Sequence, residues 1–167
     1  TKSAIGQNRQ FSLEAGNGVP GLNTGLNVVS GTAIRITASG TAAYGFFGCG
    51  PGTVEPDGRL LGPCADIATV THVYSPGAFL PSAPIGGLIA SVASGPWVFV
   101  GKSLTFTAQN NGNLFILFND QPSFYHDNSG AYSVEVTLNP IDLVAVGLSW
   151  NNTSGGVDAR YRVDNKA

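Results

Sequence analysis

Asn113-Leu-Phe-Ile-Leu-Phe118, then Asn119-Asp-Gln-Pro-Ser-Phe-Tyr-His-Asp-Asn-Ser-Gly130, then Ala131-Tyr-Ser-Val-Glu-Val-Thr-Leu138: the reading of these three consecutive pieces decides the fold. The first piece is nearly all apolar, as in a strand buried on both faces. The third alternates, with Tyr132, Val134, Val136 and Leu138 on one side and Ser133, Glu135 and Thr137 on the other. That is the pattern of a strand with one face on a core. Two such strands hold the polar middle piece at both ends, so it is expected to be a rigid loop rather than a free one.

Working outward, the same signals recur at short intervals. Residues 1–30 carry Phe11, Leu13, Val19, Leu22, Leu26, Val28 and Val29 among Gly and Asn, which predicts one or two strands. Residues 33–39 alternate around Arg35 and Thr37, and 41–44 continue past Gly40. Residues 45–62 read as a long loop carrying Glu55, Pro56, Asp57 and Gly58, and loops of that length without structure of their own are usually functional. Residues 68–74 are expected as a strand, 76–84 as a turn region, and 103–108 as an alternating strand. Residues 85–92 and 97–100 read as central strands, with Trp97 and Phe99 in the core. Asn110-Asn-Gly112 is a hairpin signal leading into the apolar strand at 113.

Eight or so strands are thus expected by Leu138, with no 3.6-residue apolar period, and the class is all-β, a sandwich or barrel. Beyond Asn139-Pro140, residues 142–150 and 156–163 read as two more strands. They are either an added hairpin on the same sandwich or the start of a following domain, so the chain divides into residues 1–139 and 140–167.

Charged residues make up 11% of the chain and the formal net charge is −2, with no Lys/Arg cluster, which argues against nucleic acid or an anionic membrane as partner. No apolar run approaches the roughly 20 residues that span a bilayer. No signal peptide opens the sequence, so a mature protein or an excised domain is expected. The chain has two cysteines, Cys49 and Cys64, with fourteen Gly- and Pro-rich residues between them. They read as a disulfide worth about 3 kcal/mol on the loop-entropy model, or as two free thiols. Low charge, β-richness and the absence of Met favour the disulfide and an extracellular or cell-surface location.

The middle loop is chemically unusual in a chain with only ten acidic residues. Asp120, Asp127 and Asn128 offer three hard oxygen side chains, and the loop carbonyls can offer more. Calcium takes six to eight oxygens from carboxylates, amides and carbonyls, and rigid loops supply them. The spacing is not that of an EF-hand, and two His with no paired Cys motif argue against zinc. From chemistry alone the loop fits a calcium site or an ordinary polar β-turn.

The string Asn119-Asp120-x-x-x-x-Tyr125-x-Asp127-Asn128-Ser129-Gly130 resembles the calcium site of the bacterial galactophilic lectin family typified by the first Pseudomonas lectin, PA-IL. Asn23-Thr-Gly-Leu-Asn-Val28, Ile36-Thr-Ala-Ser-Gly40 through Tyr44-Gly45, and Gly87-Leu-Ile-Ala through Gly101 resemble that family's strands in order, so the likeness covers roughly residues 10–138. The resemblance implies a jelly-roll β-sandwich of galactose-binding-domain-like type, holding one Ca²⁺ whose coordination a sugar diol completes. By position it implies metal ligation by the carbonyls of Tyr44 and Phe124 and the side chains of Asp120, Asp127 and Asn128. Asp127 stands where the galactose-binding lectin has Asn, and Phe124 where it has Thr, adding one negative charge and changing the pocket wall. The family's His-Pro-Asp-Gln sugar loop has its nearest match in Glu55-Pro56-Asp57-Gly58, three residues closer to Tyr44. The implied sugar contacts are therefore Tyr44, Glu55, Asp57, Asp120, Gln121, Phe124 and Asp127.

The expected function is calcium-dependent binding of a galactoside-like or other diol-presenting glycan, by a homo-oligomer or by a module of a larger bacterial surface protein. Weak single-site affinity would be compensated by such multivalency. The alternative is a structural sandwich in which calcium only stiffens the loop. An enzyme is not expected: there is no nucleophile elbow, phosphate loop or zinc signature, and metal-bound carboxylates make poor general acids.

Overall fold

The computed structural model describes residues 7–47, 50–68, 71–139, 143–153 and 156–165, with side-chain environments over 7–45, 50–65 and 71–139. The strands are β1 (Gln7–Glu14), β2 (Leu22–Val28), β3 (Ala33–Phe47), β4 (Gly50–Val54), β5 (Leu88–Val92), β6 (Val98–Phe99), β7 (Ser103–Thr107), β8 (Gly112–Phe118), β9 (Ser129–Asn139), β10 (Leu143–Thr153) and β11 (Gly156–Asn165). A short helix, α1 (Pro63–Ala68), follows β4, and a 3₁₀ turn spans Tyr125–Asp127.

Two antiparallel sheets form a sandwich. The first runs β1-β9-β3, and the far edge of β3 is shared, with β7 along Ala33–Thr37 and β4 along Ala42–Phe47. The second runs β2-β8-β5-β6. The alternation read in β9 is realised: Tyr132, Val134, Val136 and Leu138 are buried, opposite Leu88, Ala90, Leu114, Ile116 and Phe118 from the second sheet. Burying each such side chain contributes about 1.5–3 kcal/mol.

β8 is covered on its outer face as well, but only near its end. Leu117 joins Ile89, Ala83 and Tyr125 in a second, smaller cluster, flanked by Phe79, Leu80 and Trp97. The Pro-rich turn region between 76 and 84 therefore acts as a lid over the outer face of the second sheet at the end of β8, which explains why that end is apolar on both faces.

Three expectations are corrected. Residues 45–62 are not a free loop: β4 pairs with β3 through a register shift at Tyr44/Phe46, with Gly52 and Val54 facing inward. Gly and Pro had hidden a strand whose partner supplies the order. The described residues of 68–74 do not form a strand: Ala68 ends α1, and Arg59–His72 is an isolated bridge. The segment has the right residue types, but residues 71–74 have no strand alongside them, and Thr71 O pairs singly with Leu60 N and Val73 O with Ile85 N. Phe99 is not core: on the short edge strand β6 it is 40% exposed, while Trp97 meets Phe79 edge-on at 5.2 Å.

Beyond residue 142, β10 and β11 pair with each other as a two-stranded sheet, with a shift between Ala145 and Leu148. Cys64 is buried and disulfide-bonded, whereas Cys49, the chain's other cysteine, lies outside the described residues.

Candidate functional site

As β8 leaves the sandwich, Asn119 is fully buried and its amide is fully used. Oδ1 accepts from Leu80 N at 2.9 Å, and Nδ2 donates to the carbonyls of Leu80, Ala83 and Pro84, each at 3.0 Å. Its backbone exchanges bonds with the 86–87 turn, Gly86 N to Asn119 O and Asn119 N to Gly87 O. One side chain thus fixes the lid loop against the strand end, and the following residue inherits that fixed geometry.

That residue is Asp120, 5% exposed. Its Oδ1 accepts from Gln121 N at 2.7 Å and its carbonyl accepts from Phe79 N at 2.8 Å. Burial raises the carboxyl's pKa above the usual aspartate value, the Gln121 and Asn128 hydrogen bonds lower it, and the Asp127 charge raises it further. The chain then turns: Phe124 N bonds Gln121 O, Asp127 N bonds Phe124 O at 3.2 Å, and Asn128 N bonds Tyr125 O at 3.4 Å. Tyr125 pins this turn from beneath, its hydroxyl donating to Phe118 O at 2.9 Å. Burial pushes that phenol up.

The opposing wall is the end of β3. Tyr44 is buried, and burial with the nearby Asp120 charge pushes its phenol up to about 12. Gly45 follows with φ +50, in the irregularity between β3 and β4, and a Cβ there would stand 3.9 Å from Asp127 Oδ2. A positive φ of that kind is the reason for glycine at this position. Asn128 donates from Nδ2 to Ala15 O at 3.2 Å, while its Oδ1 is buried with no hydrogen-bond partner.

Tyr44, Asp120, Gln121, Phe124 and Asp127 line one cleft of about 450 Å³, together with Gly45, Val73, Tyr74, Ser75 and Ile85. Asn128 sits beside Asp120 beneath it. Glu55 and Asp57 are not among the lining residues. They lie in the turn after β4, where Lys102 Nζ holds Glu55 Oε2 at 2.8 Å and Asp57 Oδ2 at 3.3 Å. The cleft is lined instead by Val73, Tyr74 and Ser75, of which the first two fall in the segment expected as a strand. The missed signal was the excess of aromatic and β-branched residues in a segment flanked by Pro and Gly.

His126 is exposed, its ring stacked near Phe124 with centroids 6.4 Å apart and its Nδ1 3.0 Å from Ser123 O. The side chains of Phe46 and Phe47 lie outside the described ones. Among the described residues no group of three or more His, Cys, Asp and Glu gathers as a metal cluster. The donor set here is two carboxylates, one amide oxygen and backbone carbonyls. That composition suits a hard cation such as calcium rather than a transition metal. The partnerless Asn128 Oδ1 is the atom that such a cation would satisfy, because a buried acceptor left unpaired costs free energy.

Comparison with known proteins gives a consistent picture. The family model described as PA-IL-like protein matches residues 12–140. Lectin A of Photorhabdus laumondii subsp. laumondii is 31% identical over 125 residues, covering 73% of this chain and 85% of that protein. The solved N-terminal domain of EclA, described as a PllA-like lectin, aligns with a TM-score of 0.57 at 26% identity, covering 77% of this chain and 94% of that one.

Proposed function

This chain belongs to the PA-IL-like family, and on that premise we propose that it is a calcium-dependent carbohydrate-binding module. The observation that carries the reading is the buried, partnerless Oδ1 of Asn128 beside the paired carboxylates of Asp120 and Asp127. Side-chain oxygens of Asp120, Asp127 and Asn128, with the carbonyls of Tyr44 and Phe124, would hold the ion. Calcium bound there supplies an oxygen-seeking centre to which two vicinal sugar hydroxyls can add. The protein's own contribution is orientation: Asp120 is fixed by Gln121 N and by the lid loop, so it can accept a hydrogen bond from a sugar hydroxyl without rearranging. Such charge-assisted bonds are the stronger kind.

The ligand in this proposal is a galactoside-like or other diol-presenting glycan, and single-site affinity is weak because a monosaccharide offers little contact area. In this reading residues 1–139 are the binding domain and 140–167 a β extension or the start of a following domain, a division supported by the extent of the family match and by the separate β10–β11 pairing. The disulfide at Cys64 supports an extracellular or surface location.

The test is calorimetric titration with calcium and then with sugars, repeated in EDTA, backed by a glycan array. If no glycan binds under calcium-replete conditions, the lectin reading fails. A second reading, a sandwich that binds calcium only for stability, is favoured by the engagement of Glu55 and Asp57 with Lys102 away from the cleft. It requires a calcium-dependent rise in Tm with no response to any glycan.

A further inference from the structure

The cleft of about 450 Å³ is lined not only by the proposed metal-holding residues but also by a wall that they do not build. Val73, Tyr74 and Ser75 form that wall, with Ile85 behind them. Tyr74 is 59% exposed and Phe124 is 45% exposed, so two aromatic side chains stand in solvent along one cleft. Singly exposed aromatics are unremarkable on a protein surface, but two sharing a cleft with the buried Asp120 carboxylate and the exposed Asp127 one are arranged for a ligand that is apolar on one side and polar on the other.

The wall is held firmly. Thr71 O accepts from Leu60 N at 2.9 Å, Val73 O from Ile85 N at 2.7 Å, and Ser75 O from Ala78 N at 3.1 Å. Ser75 Oγ accepts from Gly77 N at 3.2 Å, closing the turn. Phe79 N then bonds Asp120 O at 2.8 Å, which ties the same segment to the carboxylate at the cleft floor. At Gly77 a Cβ would stand 2.8 Å from Gln121 Oε1, so the turn also abuts the next loop residue. Tyr74 is therefore presented from a backbone anchored on both sides, and binding need not order it, which keeps the entropic cost low.

We propose that the Val73–Ser75 wall, with Tyr74 as its reading residue, forms a second subsite that selects glycans of at least two sugar units. The first unit presents its diol to Asp120, Asp127 and Asn128. The next lays its C–H face against Tyr74 and Phe124, and the tyrosine hydroxyl is available to a ring or glycosidic oxygen. This subsite rests on the calcium-dependent carbohydrate-binding reading and deepens it, assigning specificity to residues 73–75 rather than to Glu55 and Asp57.

The experiment compares matched probes on the full chain in calcium: methyl galactoside against lactose, and methyl mannoside against mannobiose. It is run on the wild type, Tyr74→Ala and Tyr74→Phe. The wild type should prefer the disaccharide of whichever pair it binds. Tyr74→Ala should lower disaccharide affinity roughly three- to tenfold and bring the disaccharide-to-monosaccharide ratio towards one, as expected for losing one aromatic contact. Tyr74→Phe should retain most of the preference. A calcium-induced Tm shift equal to the wild type's shows that Tyr74→Ala is folded. Equal affinity of the wild type for both members of a pair, or a ratio unmoved by Tyr74→Ala, overturns the subsite while leaving carbohydrate binding standing. Calcium binding with no response to any probe overturns the subsite together with the functional reading beneath it.

Discussion

Replacing Asp120 by Asn should make the calcium-free protein more stable and the calcium-loaded protein less so. Asp120 is 5% exposed, and its pKa is raised chiefly by burial, with Asp127 adding like-charge repulsion. The amide keeps the side chain's size and an oxygen for Gln121 N, now 2.7 Å away, so packing and that bond survive. What disappears is a buried charge without a counter-charge, worth on the order of 1 kcal/mol here. For a chain of this size that raises the metal-free Tm by about 2–4 °C. Calcium acts in the opposite sense: at about a hundred times its Kd it stabilises the native state by about 2.7 kcal/mol, roughly 5–10 °C. Asp120→Asn should abolish most of that shift.

The pH dependence carries the same sign. A carboxyl whose folded pKa lies above its unfolded one favours folding when protonated, and that contribution is lost as pH rises through the folded value. The metal-free Tm advantage of Asp120→Asn over the wild type should therefore grow as pH climbs from the usual aspartate value of 3.8 towards neutrality. Differential scanning fluorimetry in EDTA and in calcium, at several pH values, measures all three effects. A variant with the full wild-type calcium shift, or one with a lower Tm in EDTA, would refute the reasoning.

The remaining predictions follow from the same geometry. Asn119→Ala leaves Leu80 N and the carbonyls of Leu80, Ala83 and Pro84 without their partner, at a cost of about 2–4 kcal/mol, and should make the 76–84 segment the first site of limited proteolysis. Asn128→Leu removes the partnerless oxygen together with the Nδ2 bonds to Ala15 O and to Asp120, so it should weaken calcium binding by calorimetry and also lower the metal-free Tm, by about 1–3 kcal/mol of stability. Lys102→Ala breaks exposed pairs with Glu55 and Asp57 and should leave both Tm and calcium affinity within measurement error. A large drop in calcium affinity for Lys102→Ala would mean that the turn after β4 is coupled to the cleft after all.

How far the sequence could be read depends on how locally each feature is encoded. β8 and β9 announce themselves because burial stamps a period of one or two residues directly on the chain, and Tyr132, Val134 and Val136 fall where the alternation puts them. The residues of the proposed metal site are equally easy to single out, since Asp120, Asp127 and Asn128 lie on one loop between those strands. β4 was not legible: Gly50, Pro51 and Gly52 are poor strand formers, and only the neighbouring β3 orders them. The error at residues 68–74 is the reverse case. Val70, Val73 and Tyr74 have strand propensity, but the described residues of the segment find an isolated bridge and single bonds rather than a ladder.

These two failures share a cause that bears on function. The second wall of the cleft comes from a segment some fifty residues before the metal loop, brought there by Asn119 gripping the lid and by Phe79 N reaching Asp120 O. Nothing in the local pattern at 73–75 refers to residues 120–127, so a reading by motif names Glu55 and Asp57, the nearest sequence match, and does not single out the segment that lines the cleft. The arrangement also separates two properties physically. The oxygens that would hold a metal are fixed by one loop and the end of β3, while the aromatic rim at Tyr74 hangs from a surface segment tied down mainly by backbone bonds. Side chains on such a segment can change without disturbing a single bond that holds the ligand oxygens. Substitution at position 74 should therefore change which glycan binds far more than how tightly calcium does, and the reverse should hold at Asp120.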